Sequence, residues 1–393
     1  MPAQSCDLAI VGGGGMGSAA AYFLSALAGT GLRNVVVEPD PTYARASTTL
    51  AAGGIRQQFS TPENILMSQF GYRFLEAIGD ELATNGDRPD VGLKPTPYLR
   101  LGASAARDAL SQHCELQRSL GAGSTWLEPS DLAVRFPWMK TDDVAAAILG
   151  GAGEGMFDPY SMLQAFRRKA VSQGVSYHRA TVAGMEMDAD GRTVVALRLD
   201  DGDSLRCGAV VNAAGPRAAG VAAMAGLELP VAAIKAHSFA FRAERPVPDC
   251  PIILDQVQGV QLKPEGGLYV CAAPGGAAAA APDDFDPEPD LFETVVWPRL
   301  AVRVPQFEQL RLVRGWVGHV EYNRLDGNPV LGLHPERPNL YFVAGFSGHG
   351  VQHVPAAGRA MAELILFGEY RSLDLSRFGW ERVIRGEPLA EVG

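Results

Sequence analysis

The sequence predicts an α/β protein: a Rossmann-type nucleotide-binding domain assembled from discontinuous segments, plus an α+β domain with a mainly antiparallel sheet. Three observations carry this prediction. A strand–glycine–helix–strand unit fills residues 7–38. Two further strand–glycine–helix units lie far downstream, at 209–226 and 339–366. Between them run segments whose apolar residues alternate with period two.

The first unit reads DLAIVGGGGMGSAAAYFLSALAGTGLRNVVVE. An apolar strand enters a glycine cluster in which Gly12, Gly14 and Gly17 satisfy G-x-G-x-x-G, with Gly15 and Met16 inside the turn. The first glycine permits the tight turn, the second lets a pyrophosphate approach the backbone, and the third lets helix pack on strand. The helix start then offers free N–H groups and a positive dipole end to an anion. Glu38 follows Gly17 by 21 residues, closes the second strand, and is placed to accept hydrogen bonds from a ribose hydroxyl, with Pro39 beside it. These features together predict a dinucleotide site.

In the second unit a strand ending at Asn212 runs into Ala213, Ala214 and Gly215. In the third, NLYFVA precedes GFSGHG (Gly345, Ser347, Gly348, His349 and Gly350 among its residues), and a helix follows with Met361, Leu364 and Ile365 at helical spacing. These units place the nucleotide domain at 1–90, 150–230 and 320–393. The substrate domain takes 91–149, with a helix expected from about Ser104 to Leu120, and 231–319, where SFAF and GLYV alternate. The stretch from Gly275 to Asp290, ending in PDDFDPEPD, is expected to be an exposed, mobile acidic loop.

Composition narrows the function. A net charge of −10 argues against nucleic acid or an anionic membrane as partner. Five scattered cysteines without a C-x-x-C pair fit reduced thiols in a cytosolic protein better than a disulfide framework or a zinc site, and no metal is expected. The nucleotide strand begins close to Met1 with no basic segment before it, so the expectation is a cytoplasmic protein without a targeting peptide or a membrane span. Self-association is left open.

The chain resembles the FAD-dependent amino-acid and N-methyl-amine oxidoreductases, which include D-amino-acid, glycine and sarcosine oxidases and dehydrogenases. The resemblance rests on the N-terminal fingerprint, ASTTLAAGGIRQQFSTPENI at 46–65, the DP of GMFDPYSMLQAF at 155–166, VNAAGP at 211–216 and AGFSGHGVQHVPAAGRAMAEL at 344–364. It implies FAD. The C-terminal glycine loop supports flavin over nicotinamide, because a helix starting near Gly350 can set N–H groups and positive dipole where reduction leaves negative charge. By resemblance, Ser47 and Thr48 contact phosphate or ribitol, Gly53 and Gly54 allow close approach, and Val182 touches the adenine through its backbone. Gly345, Ser347, Gly348, Val351 and Gln352 belong to the flavin loop, and Ala214 and Gly215 to the nucleotide edge. Leu50 stands where some relatives carry a flavin-linking histidine, and GWVGHVEYNRLDG, which contains His319, lacks the cysteine others use. FAD is therefore expected to be non-covalent.

For the substrate, a small amine or amino acid, the resemblance assigns Arg56 to the carboxylate. Gln352 stands where sarcosine oxidases carry a second, lysine clamp. His349 and Tyr269 are further catalytic candidates, and His237, Gln57 and Gln58 weaker ones. No lysine follows Lys263, which lies early in its hairpin for the lysine that promotes reaction with oxygen; Arg314 sits in a strand of unknown facing. Losing both cations implies a bulkier or less anionic substrate than sarcosine, and a dehydrogenase rather than an oxidase. The acceptor stays open among a quinone, an electron-transfer protein and oxygen. Two other readings remain: oxidation of a 2-hydroxy acid, and a flavoprotein that mainly binds or assembles a partner complex.

Overall fold

A computed structural model describes residues 4–29, 31–273, 278–389 and 391. Two eight-stranded sheets organise it. In the first, five strands run parallel: Arg337–Ala344, Ser204–Asn212, Gln4–Val11, Asn34–Val37 and Ser176–His178, in that spatial order. A hairpin of Val182–Met187 and Val194–Leu199 and the strand Val330–His334 add antiparallel pairs at its margins. Parallel strands need crossovers, and helices supply them on both faces.

One face carries the helices Gly15–Ala28, Pro62–Glu81, Pro159–Ser172 and Gly350–Phe367 around a core that includes Phe23, Phe74, Phe166 and Met361. Gly358 brings the last of these against the first, since a Cβ there would lie 2.6 Å from that of Ala19. The opposite face packs Ala218–Ala223 and Trp380–Arg385.

The second sheet runs Leu310–Asn323, Val231–Ala243, Leu268–Ala273, Val260–Glu265, Ile252–Asp255, Tyr98–Gly102, Ala146–Leu149 and Thr125–Leu127. Only Ile252–Asp255 with Tyr98–Gly102 is parallel. The expected helix appears as a 3-10 turn, Ser104–Ala106, followed by Arg107–Ser119. The strand Leu310–Asn323 carries this sheet past the expected boundary at 319, because its pairing with Val231–Ala243 is unbroken to Asn323 save for one bulge.

The acidic run is exposed but tied down, contrary to expectation. Asp283 pairs with Arg217 and Asp284 with Lys235 at 2.6 Å, while Phe285 lies between Arg45 and the ring of His319. Its residues 275–277 lie outside the described set. Among the described residues no helix is long and apolar enough to cross a membrane. All five cysteines are free, and four are buried.

Candidate active site

The strand Gln4–Val11 delivers the glycine turn to the start of the helix Gly15–Ala28, beside the end of Asn34–Val37. Gly12 holds φ at +97° and Gly17 would place a Cβ 1.9 Å from its carbonyl oxygen, so both are required by the chain's own packing. Gly14 differs: a Cβ there would meet nothing nearer than Thr48 Oγ1 at 3.8 Å. The N-cap residue Gly14 brings no side-chain cap and no acid sits in the first turn. The positive dipole end of the helix therefore faces no negative charge of its own first turn, which suits an anion.

Glu38 closes the lip. Its carboxylate accepts hydrogen bonds from the Gly13 N–H at 2.8 Å and the Asp40 N–H at 2.9 Å, while burial raises its pKa. Thr48 Oγ1 accepts the Gly15 N–H at 3.1 Å, and the Ser47 hydroxyl donates to the His319 carbonyl at 2.7 Å. These bonds seat the segment 47–56 across the turn. Pro39 follows Glu38 directly, and Val182 packs with Val11 and Val37 on the adjoining edge.

From this lip a cavity of about 770 Å³ opens between the two sheets. Met16, Ser47, Thr48, Leu50, Gly53, Gly54 and Arg56 line it from one side. The loop before Gly350–Phe367 lines another with Ser347, Gly348 and His349, joined by Gly350, Val351 and Gln352 of the helix's first turn. This helix too is uncapped, without an acid in its first turn. Ala214 and Gly215 flank the lip through the close approach of Ala213 to Gly12, and Gly345, at φ +83°, turns the chain into the loop.

Arg56 is fixed by its backbone. Its N–H donates to Gln352 Oε1 at 2.7 Å, and its guanidinium stands 4.5 Å over the Phe59 ring. That bond occupies the acceptor of Gln352 and leaves its Nε2 to donate; this nitrogen is buried and lacks a partner among the described residues. His349 stacks edge-on against Phe59 at 5.3 Å. Burial and the neighbouring Arg56 push its pKa down to about 3, so its ring is neutral.

Several expectations fail. Tyr269 is remote from the cavity: it packs on Phe241 and Phe307, and its hydroxyl accepts the Val247 N–H at 3.0 Å. His237 is buried and accepts the Glu288 N–H at 3.1 Å. Gln57 and Gln58 turn to the carbonyls of Gly153 and Tyr98. Arg314 is exposed, stacked on Trp316. Lys263 does reach the wrapping segment, donating to the Ala52 carbonyl and pairing with Glu265 at 2.6 Å, because its hairpin folds over that segment.

Sequence reasoning also missed Tyr98, Arg100, Lys235 and Glu321, which all line the cavity. Burial pushes the carboxyl of Glu321 up to about 7, and its Oε2 is buried without a partner among the described residues. The cavity is thus not stripped of cations, as the lysine count suggested. A glycine turn at a helix start, a buried carboxylate beside it and unpartnered donors and acceptors along a deep cavity fit a dinucleotide carrying a polar heterocycle.

Comparisons agree with this geometry. The chain is 41% identical to FAD-dependent oxidoreductase domain-containing protein 1 of Xenopus laevis over 100% of its own length and 85% of that protein. It superposes on glycine oxidase from Geobacillus kaustophilus with a TM-score of 0.79 at 26% identity, covering 96% of this chain and 99% of that one. L-proline dehydrogenase from P. horikoshii shares the fold at a TM-score of 0.84 and 23% identity, over 98% of this chain and 100% of that one. Residues 7–364 match the DAO family, FAD dependent oxidoreductase, and the chain belongs to that family of FAD-dependent oxidoreductases.

Proposed function

We propose that the chain oxidises a carboxylate-bearing amine, a secondary, N-methyl or D-configured amino acid, to an imine that water then hydrolyses. The observation that carries this reading is Arg56 in the cavity wall, its backbone bonded to Gln352 and its guanidinium over Phe59. The names of the relatives, a glycine oxidase and an L-proline dehydrogenase, support the same substrate class. FAD, when bound, supplies the acceptor for the hydride that leaves the substrate carbon.

The rest falls to the chain. The lip from Gly12 to Gly17 and Glu38 hold the nucleotide, and the uncapped start of Gly350–Phe367 offers N–H groups where negative charge collects. Arg56 orients the carboxylate and Gln352 Nε2 adds a neutral donor. The neutral ring of His349 leaves the amine end free of a competing cation. Leu50 offers no nucleophile, so FAD is held without a covalent link. The lysines nearest the cavity are neutralised, Lys263 by Glu265 and Lys235 by Asp284, which favours a dehydrogenase because a paired cation stabilises superoxide poorly.

One preparation tests these points. Mixed anaerobically with amino acids, N-methyl amino acids and 2-hydroxy acids, the holoprotein should lose its flavin colour with the amines. Bleaching by hydroxy acids alone, or by nothing, would overturn the reading. The reduced sample should then reoxidise faster with a quinone than with air, and acid precipitation should leave all colour in the supernatant. A faster reaction with air would mark an oxidase, and a coloured pellet a covalent link through His319.

A further inference from the structure

The strands Val231–Ala243 and Leu310–Asn323 pair with Ala233 opposite Glu321 and Lys235 opposite His319. Alternation therefore puts Lys235, His319 and Glu321 on one face, and all three line the cavity. Lys235 is already held, by the Asp284 carboxylate at 2.6 Å and the Asp286 carbonyl at 2.9 Å, and the His319 ring packs edge-on against Phe285. Glu321 is the acid of this face. The N–H groups of Gly345 and Phe346 act on its carboxyl, but Oε2 is buried and has no hydrogen-bond partner among the described residues. A buried acceptor in that condition costs free energy until a ligand brings it a donor.

The position of the carboxyl narrows what the donor is. On one side Gly345 and Phe346 lead into the second glycine loop, and a Cβ at Gly350 would lie 2.9 Å from Phe346 Cβ and 3.5 Å from Met16 Cε of the glycine lip. On the other side stands Gly215, where a Cβ would meet nothing nearer than Glu321 Oε2 at 4.0 Å. Gly215 follows Ala213, whose carbonyl oxygen closes to 2.5 Å on the Cβ position of Gly12. Glu321 thus stands between the lip and the second loop. A dinucleotide extended from one to the other passes this point with the stretch that joins its pyrophosphate to its heterocycle. In FAD that stretch is ribitol, a polyol whose hydroxyls are donors. A phosphate there would repel the carboxylate instead.

We propose that Glu321 is a cofactor-binding residue whose carboxylate accepts a hydrogen bond from a ribitol hydroxyl of FAD. It gives the cofactor a second carboxylate, on the far side of the pyrophosphate from Glu38. The bond touches no substrate atom, so the inference stands apart from the amine-oxidation reading.

The test is a cofactor exchange on the holoprotein. It is equilibrated with excess FAD analogues that each lack one ribitol hydroxyl, and with FAD methylated at flavin N3, the ring's own donor. Released FAD, read by its fluorescence, gives the ratio of dissociation constants. At least one deoxy analogue should bind roughly 10-fold or more weakly than FAD, since a charge-assisted hydrogen bond is worth about that much. Glu321→Leu should weaken FAD by a similar factor and bring the ratio for that analogue towards one. Glu321→Gln, which keeps an acceptor oxygen but no charge, should retain part of the ratio. Equal binding of FAD and every deoxy analogue, or a deoxy ratio untouched by Glu321→Leu, would overturn the proposal. A change confined to the N3-methyl cofactor would also overturn it, by assigning the carboxyl to the ring. If Glu321→Leu does not retain FAD, Glu321→Gln decides, and an unchanged deoxy ratio there refutes the bond. Turnover is not read, so a failure of amine oxidation leaves this result standing.

Discussion

Two helices begin at glycine turns on this molecule, Gly15–Ala28 and Gly350–Phe367, and they pack together where Gly358 meets Ala19. In neither does the N-cap residue's own side chain cap the helix, and neither carries a first-turn acid. Their surroundings differ. The first is a backbone device: Gly17 is dictated by the carbonyl of Gly12, and Gly12 by the backbone of Ala213 and Ala214. The second is a side-chain device: its own cap residue His349 and first-turn Gln352 meet Arg56 from another segment, and Phe59 packs against Arg56 and His349. Backbone devices fix where a cofactor lies, whereas side-chain devices decide what reacts with it.

The largest effects should come from breaking the first device. A Cβ at Gly17 would sit 1.9 Å from the Gly12 carbonyl oxygen, a backbone atom that cannot move aside. Gly17→Val should therefore abolish soluble, folded protein, by the several-kcal/mol route of strain and overpacking. At Gly14 the space is open inside the protein itself. Gly14→Val should keep the apoprotein fold, seen by circular dichroism, and lose bound FAD by absorbance. Similar behaviour of the two variants would erase the distinction between packing glycines and ligand glycines.

The second device should break more gently. Arg56→Met removes a charge-assisted contact worth about 1.5–3 kcal/mol, so kcat/KM for carboxylate substrates should fall roughly 10- to 100-fold. The flavin spectrum and FAD content should hold, because Gln352 binds the Arg56 backbone rather than its side chain. Loss of FAD, or equal losses for acids and their methyl esters, would make Arg56 a structural residue.

The same division explains what could be read from the chain. The fingerprint, Glu38 and the GFSGHG loop were legible because each sits in a local pattern whose spacing has its own physical reason, whereas Arg56 was picked out by the resemblance alone. Tyr98 and Arg100 were not, although YLRLG carries a signal in hindsight: an arginine amid leucines on a fully buried strand. Alternation assigns residues to two faces without saying which face meets a cavity. That is why Tyr269 was chosen wrongly; its strand does reach the cavity, but through Ala272 and Ala273, while the tyrosine packs on Phe241 and Phe307. Glu321 and Lys235 were hidden for a related reason, since they approach the site only once Leu310–Asn323 and Val231–Ala243 pair.

The smallest expected effect separates two buried carboxyls, Glu154 in the protein wall and Glu321 on the cavity. Burial pushes each up to about 7 from an ordinary 4.5. A carboxyl raised in the folded state binds its proton more tightly there than in the unfolded chain, so between about 4.5 and 7 the native state holds more protons. Stability from this source is full below 4.5 and is lost as pH rises through 7. Glu154 already accepts two backbone N–H groups, and its environment is set by the protein. Glu321 faces the space a ligand enters. Glu154→Gln should therefore flatten the decline of Tm with pH, by a few degrees, in both apoprotein and holoprotein. Glu321→Gln should flatten it in the apoprotein and change the pH dependence of FAD affinity as well. Identical pH profiles for the two variants, measured by thermal melts and FAD titration, would show that cavity and wall do not differ electrostatically.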